Sequence, residues 1–378
     1  MRIVIVKLSA IGDVVHALPA MAALRRALPA ARLAWVVEKR AAEILRDSPA
    51  IDELIEIDTR AWRKQMISRA TITEIRERIA GIRGDTGIDL AIDFQGLLKS
   101  GLVIKATQAR RRVGFESADL REPLSRHFLT EQVCVSQFKH VIDKNLALAR
   151  AAVAGLAEND RAAFGSTLHE FPIAVSAADE RFAEEAANKQ AARFAILNPG
   201  GGWPTKLWAA ERFGELADHL FERHGVVSYI TFGPGEAKLA QAVASQARSG
   251  AAQVIASTLK QFVALARRAS LFVGGDSGPL HLAAAAGTPI VGIYGPTSPS
   301  RNGPFNPQDI VVGRDLWCRA ACHRRACWHW ECMDIPASVV ARAASLRLAG
   351  AGEPPGLAAA FVQLESLSND SIKRRQDN

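Results

Sequence analysis

"IVIVKLSAIGDVVHALP", residues 3–19, decides how the chain is read. Its first four residues, Ile3-Val4-Ile5-Val6, are apolar and β-branched with no polar alternation, the signature of a strand covered on both faces in a parallel sheet. Ala17, Leu18, Met21, Leu24 and Leu28 then recur at helical spacing, with Pro19 in the first turn, where a missing N–H is tolerated. Strand, loop and helix in that order open a βαβ unit. The loop itself, Ser9-Ala10-Ile11-Gly12-Asp13, has one glycine where a dinucleotide-binding sheet carries G-x-G-x-x-G. A carboxylate stands where an anionic cofactor would approach, which argues against NAD in this half. Asp13 falls at the carboxyl end of the strand, where open α/β sheets place their sites. It reads either as a cap on free N–H groups or as a reactive carboxylate; His16 reads as a packing or capping residue.

The same rhythm runs outward from this unit. Strands are expected near Ile3–Val6, Leu33–Val37, Leu54–Ile57 and Leu90–Ile92, with amphipathic stretches between them. The segment "LHEFPIAVSAADE" reads as a linker, after which the alternation restarts with Phe194–Leu197 and continues to Ile290–Tyr294. The expected architecture is α/β, with two doubly wound, Rossmann-like domains facing across a cleft: 1–170, 171–350, and a closing helix with a polar tail over 351–378. No internal repeat is visible.

The 378 residues suit two domains of ordinary size, and 48% hydrophobic with 23% charged residues is a globular composition. The opening apolar run is interrupted by Lys7 too early for a signal segment or a membrane span, so a cytoplasmic protein is expected. A formal charge of +8 favours anionic partners. Nucleic acid is a poor fit, because two tyrosines and scattered cations do not make an interleaved basic and aromatic face.

The second half offers an anion site. "GGDSGPLHLAAAAGTPIVGIYGPTSP" follows the strand Leu271–Val273, and Gly274, Gly275, Ser277 and Gly278 open a strand-to-helix turn whose N–H groups suit a phosphate. His281 falls in the same turn. "NPGGGWPTKLW" is a second glycine-rich loop after a strand; it is not a P-loop, but Lys206 at its end suits a phosphate as a point charge. Glu236, in "GPGE", suits ribose hydroxyls or plain solvent. No D-x-D motif occurs, so no catalytic Mg²⁺ and no cofactor are expected. Cys134 stands alone and is expected to be buried. Cys318, Cys322, Cys327 and Cys332 crowd together with His323 and His329, a set that reads equally as a structural metal site or as reduced thiols.

Together, "VKLSAIGDVVHALPA", "DFQGLLKS", "ADLREPLS" and "GGDSGPLHLAAAAGTPIVGIYGPTSP" resemble glycosyltransferase family 9, the ADP-heptose:lipopolysaccharide heptosyltransferases. "GDVVHALP", "WRK" at 62–64 and "REPL" at 121–124 are most similar to its heptosyltransferase I branch. The resemblance implies a GT-B fold and inverting, metal-independent transfer of heptose from ADP-heptose to Kdo of lipid A. By position it implies Asp13 as general base, and Lys206, Asp276, Ser277, Gly278 and His281 around the diphosphate. Glu236 would meet the ribose, and Arg60, Arg63, Lys64 and Arg121 the acceptor's carboxylate and phosphates. Lys99, Arg110–Arg112 and Arg126 would extend a positive surface toward the anionic cytoplasmic face of the inner membrane. The alternative enzyme readings are other GT-B members, a heptosyltransferase acting on a heptose acceptor or a nucleotide-sugar epimerase, which would need no lipid acceptor.

Overall fold

The computed structural model describes residues 1–378 except 65–67, 85–86, 157–162, 165–168, 190–192, 315, 317, 319–321, 323–324, 329, 351–360 and 364–378. The side chains of 63–64, 71–72 and 361–363 are also outside the description. The chain divides into two units, Met1–Asp179 and Glu180–Asn378.

The N-terminal unit is a six-stranded sheet of β1 (Arg2–Val6), β2 (Arg32–Glu38), β3 (Glu53–Ile57), β4 (Leu90–Asp93), β5 (Arg111–Phe115) and β6 (Glu131–Val133). The order is β3-β2-β1-β4-β5-β6 and every neighbouring pair is parallel. The uninterrupted apolar run of β1 is explained by its central place: all five of its residues are buried. Val4 and Val6 pack with Ala34, Val36, Ala91 and Ile104 in one core. The helix Leu18–Ala27 carries Pro19 at its start, and its residues Leu18–Leu24 are buried. Trp35, fully buried in β2, donates its indole N–H to the Lys7 carbonyl at 3.1 Å and so satisfies the one polar atom of a large apolar side chain.

The C-terminal unit repeats the plan with β7 (Phe194–Asn198), β8 (Val227–Thr231), β9 (Ala252–Ile255), β10 (Leu271–Gly275), β11 (Ile290–Tyr294), β12 (Ile310–Gly313) and β13 (Phe361–Gln363). The order is β13-β12-β11-β10-β7-β8-β9, again parallel throughout. Leu197, Phe213, Leu216, Val273, Ile293 and Ile335 belong to its core. In both sheets the strand order reverses beside the unit's first strand, between β1 and β4 and between β7 and β10. A reversal of this kind opens a crevice at the strands' carboxyl ends, so it fixes where a site belongs in each unit.

Two expectations are corrected. The closing helix over 351–378 gives way, where described, to β13, whose Phe361–Gln363 backbone pairs with Val311–Gly313 of β12. An aromatic and a β-branched residue beside an otherwise unpaired sheet edge favour that outcome. Cys134 is exposed, with Sγ 3.3 Å from Ser136 Oγ, because it follows the short edge strand β6. Among the described residues no helix is long and apolar enough to cross a membrane.

Trp35→Ala should lower the stability of the N-terminal unit by about 3–5 kcal/mol through the cavity left in the sheet. Urea unfolding should show the lower midpoint, and an unmoved midpoint would contradict the packing described.

Candidate functional site

In the C-terminal unit the chain leaves β10 through Asp276 and Ser277 into the helix Gly278–Ala285, with Pro279 in the first turn. Asp276 is buried and fully engaged. Its Oδ2 accepts from Lys206 Nζ at 2.6 Å, and its main-chain oxygen accepts from the same ammonium at 3.0 Å. Its Oδ1 accepts from Asn302 Nδ2 at 2.7 Å and lies 3.2 Å from His281 Nε2. Burial alone would push this carboxyl up. The hydrogen bond and charge of His281 and the charge and hydrogen bond of Lys206 outweigh it and hold Asp276 well below the usual carboxylate range.

Lys206 reaches this position because the loop after β7 ends in the tight turn Pro204–Lys206. Its ammonium lies 4.6 Å from the centroid of the Trp203 ring, which the Arg325 guanidinium also approaches, at 5.6 Å. It is therefore not a solvated surface lysine. Glu236 fastens the same loop: Oε1 accepts from the Gly201 N–H at 3.2 Å and Oε2 from the Gly233 N–H at 2.8 Å. A Cβ on Gly200 would fall 2.2 Å from Glu236 Oε2, so the close approach of loop and carboxylate requires glycine there. The Ser277 and Thr297 hydroxyls, after β10 and β11, are buried and without a hydrogen-bond partner among the described residues. Buried hydroxyls without partners are costly, and beside a helix start they suit an oxygen-rich ligand.

In the N-terminal unit an amide ties the two strand ends at the corresponding reversal. Gln95, beyond β4, accepts at Oε1 from the Leu8 N–H at 3.0 Å and the Ser9 N–H at 3.2 Å, tying the ends of β1 and β4 together. Asp13, half-buried in the helix Ile11–Val15, accepts from the Ala10 N–H at Oδ2 (3.0 Å). Its other oxygen has no hydrogen bond among the described residues, so the capping role uses only half of the carboxylate. Lys99 Nζ donates to Ser9 Oγ and to Glu38 Oε1, both at 3.2 Å, and Glu38 also accepts from Thr59 Oγ1. Thr59 opens the helix Thr59–Lys64, which carries Arg60 on its exposed surface. The side chains of Arg63 and Lys64 lie outside the described residues. Arg121 is exposed, after β5. His16 is buried edge-on to His140, ring centroids 6.0 Å apart, a packing role.

Lys206, Asp276 and His281 are thus brought into direct contact, Ser277 and Gly278 adjoin them, and Glu236 holds the loop that delivers Lys206. The loop before Asp13 and the start of the helix that carries Arg60 are linked by hydrogen bonds from Lys99 to Ser9 and Glu38 and from Thr59 to Glu38. Sequence reading missed Asn302, Gln95 and Trp203. Asn302 ends the short helix Pro299–Asn302 and belongs to no motif, whereas Trp203 lies in the glycine-rich loop itself, immediately before the turn Pro204–Lys206.

Of the clustered cysteines, Cys332 is buried; burial and then the neighbouring Cys322, Cys318 and Cys327 thiols push it up to about 11. His323 and His329 lie outside the described residues. Among the described residues no group of three or more His, Cys, Asp or Glu side chains is arranged to hold a metal ion.

A family model described as Glycosyltransferase family 9 (heptosyltransferase) matches residues 83–329. Lipopolysaccharide heptosyltransferase 1 of Pseudomonas aeruginosa is 29% identical over 329 residues, covering 86% of this chain and 87% of the relative. The solved structure of Escherichia coli heptosyltransferase WaaC with ADP superposes with a TM-score of 0.73 at 24% identity, over 92% of this chain and all (100%) of that one. The same enzyme with ADP-2-deoxy-2-fluoro heptose gives 0.68 at 25% identity, over 86% and 96%.

Because Asp276 titrates below its unfolded value of 3.8, it stabilises the fold above that pH, and the contribution is lost as pH falls. By pH 3, about 1 kcal/mol should already be gone. Urea unfolding of Asp276→Asn should therefore fall less steeply between pH 5 and pH 3 than that of the unsubstituted chain. Parallel acid limbs would show that the carboxylate is not held as described.

Proposed function

The chain belongs to glycosyltransferase family 9, the heptosyltransferases, and from that premise we propose that it transfers L-glycero-D-manno-heptose, with inversion, from ADP-heptose to Kdo of lipid A in the lipopolysaccharide inner core. The observation that carries this reading is the contact of Lys206, Asp276 and His281 at the strand-order reversal of the C-terminal unit, beside the unpartnered Ser277 hydroxyl. A diphosphate bound there would meet the N–H groups of the helix start at Gly278, the Ser277 hydroxyl and the Lys206 ammonium. Glu236, with lone pairs left beyond its two backbone bonds, suits the ribose hydroxyls. The similarity to lipopolysaccharide heptosyltransferase 1 supports the same donor and acceptor classes.

The reaction needs one base. As the acceptor hydroxyl oxygen bonds to the anomeric carbon, its proton passes to the free oxygen of Asp13; the bond from that carbon to the diphosphate oxygen breaks with its electron pair and ADP leaves. Charge builds on the departing diphosphate, where Lys206 and the helix start stabilise it. Asp13 can serve because its remaining oxygen has no hydrogen bond among the described residues. Arg60, Arg63, Lys64 and Arg121 suit the carboxylate of Kdo and the phosphates of lipid A. The acceptor then places the enzyme on the cytoplasmic face of the inner membrane as a peripheral protein, with no cofactor required.

Mass spectrometry of Kdo-lipid A incubated with the protein and ADP-heptose should show the gain of one heptose; an unchanged acceptor would refute the activity. Asp13→Asn should lower turnover about 10²- to 10⁴-fold with ADP affinity preserved. Lys206→Ala should weaken ADP binding by about 1–3 kcal/mol in titration calorimetry. Near-normal turnover in the first case, or unaltered affinity in the second, would remove that residue's role.

A further inference from the structure

We propose that Leu98, Leu102 and Leu124 form an apolar patch through which the N-terminal unit inserts into an anionic lipid bilayer. Leu98 and Leu102 lie one turn apart on the helix Leu98–Ala106 and are 39% and 60% exposed; Leu124, in the 3₁₀ turn Pro123–Phe128, is 64% exposed. The turn is packed on the helix. A Cβ on Gly101 would fall 2.4 Å from the Phe128 ring, Lys105 Nζ lies 5.7 Å from the centroid of that ring, and Glu122 accepts from the Leu98 N–H at 2.7 Å. The three leucines therefore share one small surface. Nine large apolar side chains are exposed among the described residues, and a third of them sit here, which a face turned only to water does not explain.

The surroundings identify the partner. Lys105, Arg121 and Arg126 are exposed around the leucines, and none of the three has an ion-pair partner among the described residues; Arg126 only reaches Ser117 Oγ, at 3.2 Å. By contrast, Arg111 is paired with Glu131, so the run 110–112 contributes less free charge than its sequence suggests. An apolar centre with a cationic rim complements an anionic headgroup layer over acyl chains. The patch also adjoins the carboxylate assigned as base. Lys99, next to Leu98, donates to Ser9 Oγ, and Ser9 precedes the Ala10 N–H that Asp13 accepts. The inference deepens the lipid-acceptor reading above and rests on it for its purpose, though not for its measurement.

The full chain is floated with vesicles of phosphatidylethanolamine and phosphatidylglycerol, which contain no sugar acceptor, so the result is separate from any failure of heptosyl transfer. Binding is expected, much weaker to phosphatidylcholine alone. The double variant Leu102→Glu/Leu124→Glu should lower the bound fraction at least about tenfold while leaving ADP affinity unchanged. Equal binding by the variant, or equal binding to neutral vesicles, would overturn the proposal. So would release of the unsubstituted chain by inorganic phosphate as complete as that caused by the double substitution, which would mean an anion site without insertion. Gel filtration showing a dimer that the variant abolishes, with vesicle binding intact, would assign the patch to a second copy of the chain and overturn it as well.

Discussion

The ion pair between Lys206 and Asp276 is the contact on which the C-terminal site depends. Its partners are 70 residues apart in sequence, and each is delivered by the loop after one of two adjacent parallel strands, β7 and β10. Strand pairing alone brings the loops near each other; Asp276 then ties them, accepting from the ammonium at both Oδ2 and its main-chain oxygen. His281 and Asn302 complete its coordination from two further elements. A buried carboxylate so surrounded cannot be lost cheaply, because the ammonium left behind would be an uncompensated charge costing about 3–5 kcal/mol.

The N-terminal unit solves the same geometric problem without charge. Gln95 joins the ends of β1 and β4 by accepting two backbone N–H bonds, and a neutral amide leaves the electrostatics of the crevice open. The cations near this loop are diverted: Lys7 Nζ donates to the Phe94 carbonyl at 2.7 Å, and Lys99 is shared between Ser9 and Glu38. Asp13 is consequently not neutralised by a lysine, unlike Asp276. The two carboxylates, Asp13 after β1 and Asp276 after β10, thus stand in different surroundings. Asp276 is locked by cations and organises a loop, while Asp13 has one oxygen without a hydrogen bond among the described residues.

That division was partly legible in the amino-acid order. Runs such as Ile3–Val6 and Leu271–Val273 have no polar alternation, and only a two-sided parallel sheet hides such strands, so the fold followed from local pattern. Lys206, Asp276, Ser277 and His281 stood out because each lies just past a strand, among glycines. Asn302 did not, because its bond to Asp276 is made by tertiary folding of a segment with no periodicity of its own. Glu236 was read toward a ligand, yet its two backbone bonds are invisible without the loop geometry that brings Gly201 and Gly233 together. The strand Phe361–Gln363 was hidden by an alanine-rich approach that favours helix; an available edge at β12 overrode that preference.

On the proposed reading, the Lys206 pair also sets how an anion would be held. An ammonium has three N–H donors, and two are directed at Asp276 while the Trp203 ring covers a flank. One donor remains for a ligand, and the pair as a whole is neutral. On the reading proposed here, attraction for a diphosphate therefore cannot rest mainly on the net charge of this lysine. It falls to the partial positive charge of the helix start at Gly278 and to the Ser277 hydroxyl, groups whose position is fixed by the fold before any ligand arrives. Lys206 contributes direction: anchored by Asp276 and by the ring beneath it, its last N–H is already oriented, so little side-chain entropy remains to be lost on binding. The carboxylate that cancels its charge is what makes that orientation permanent.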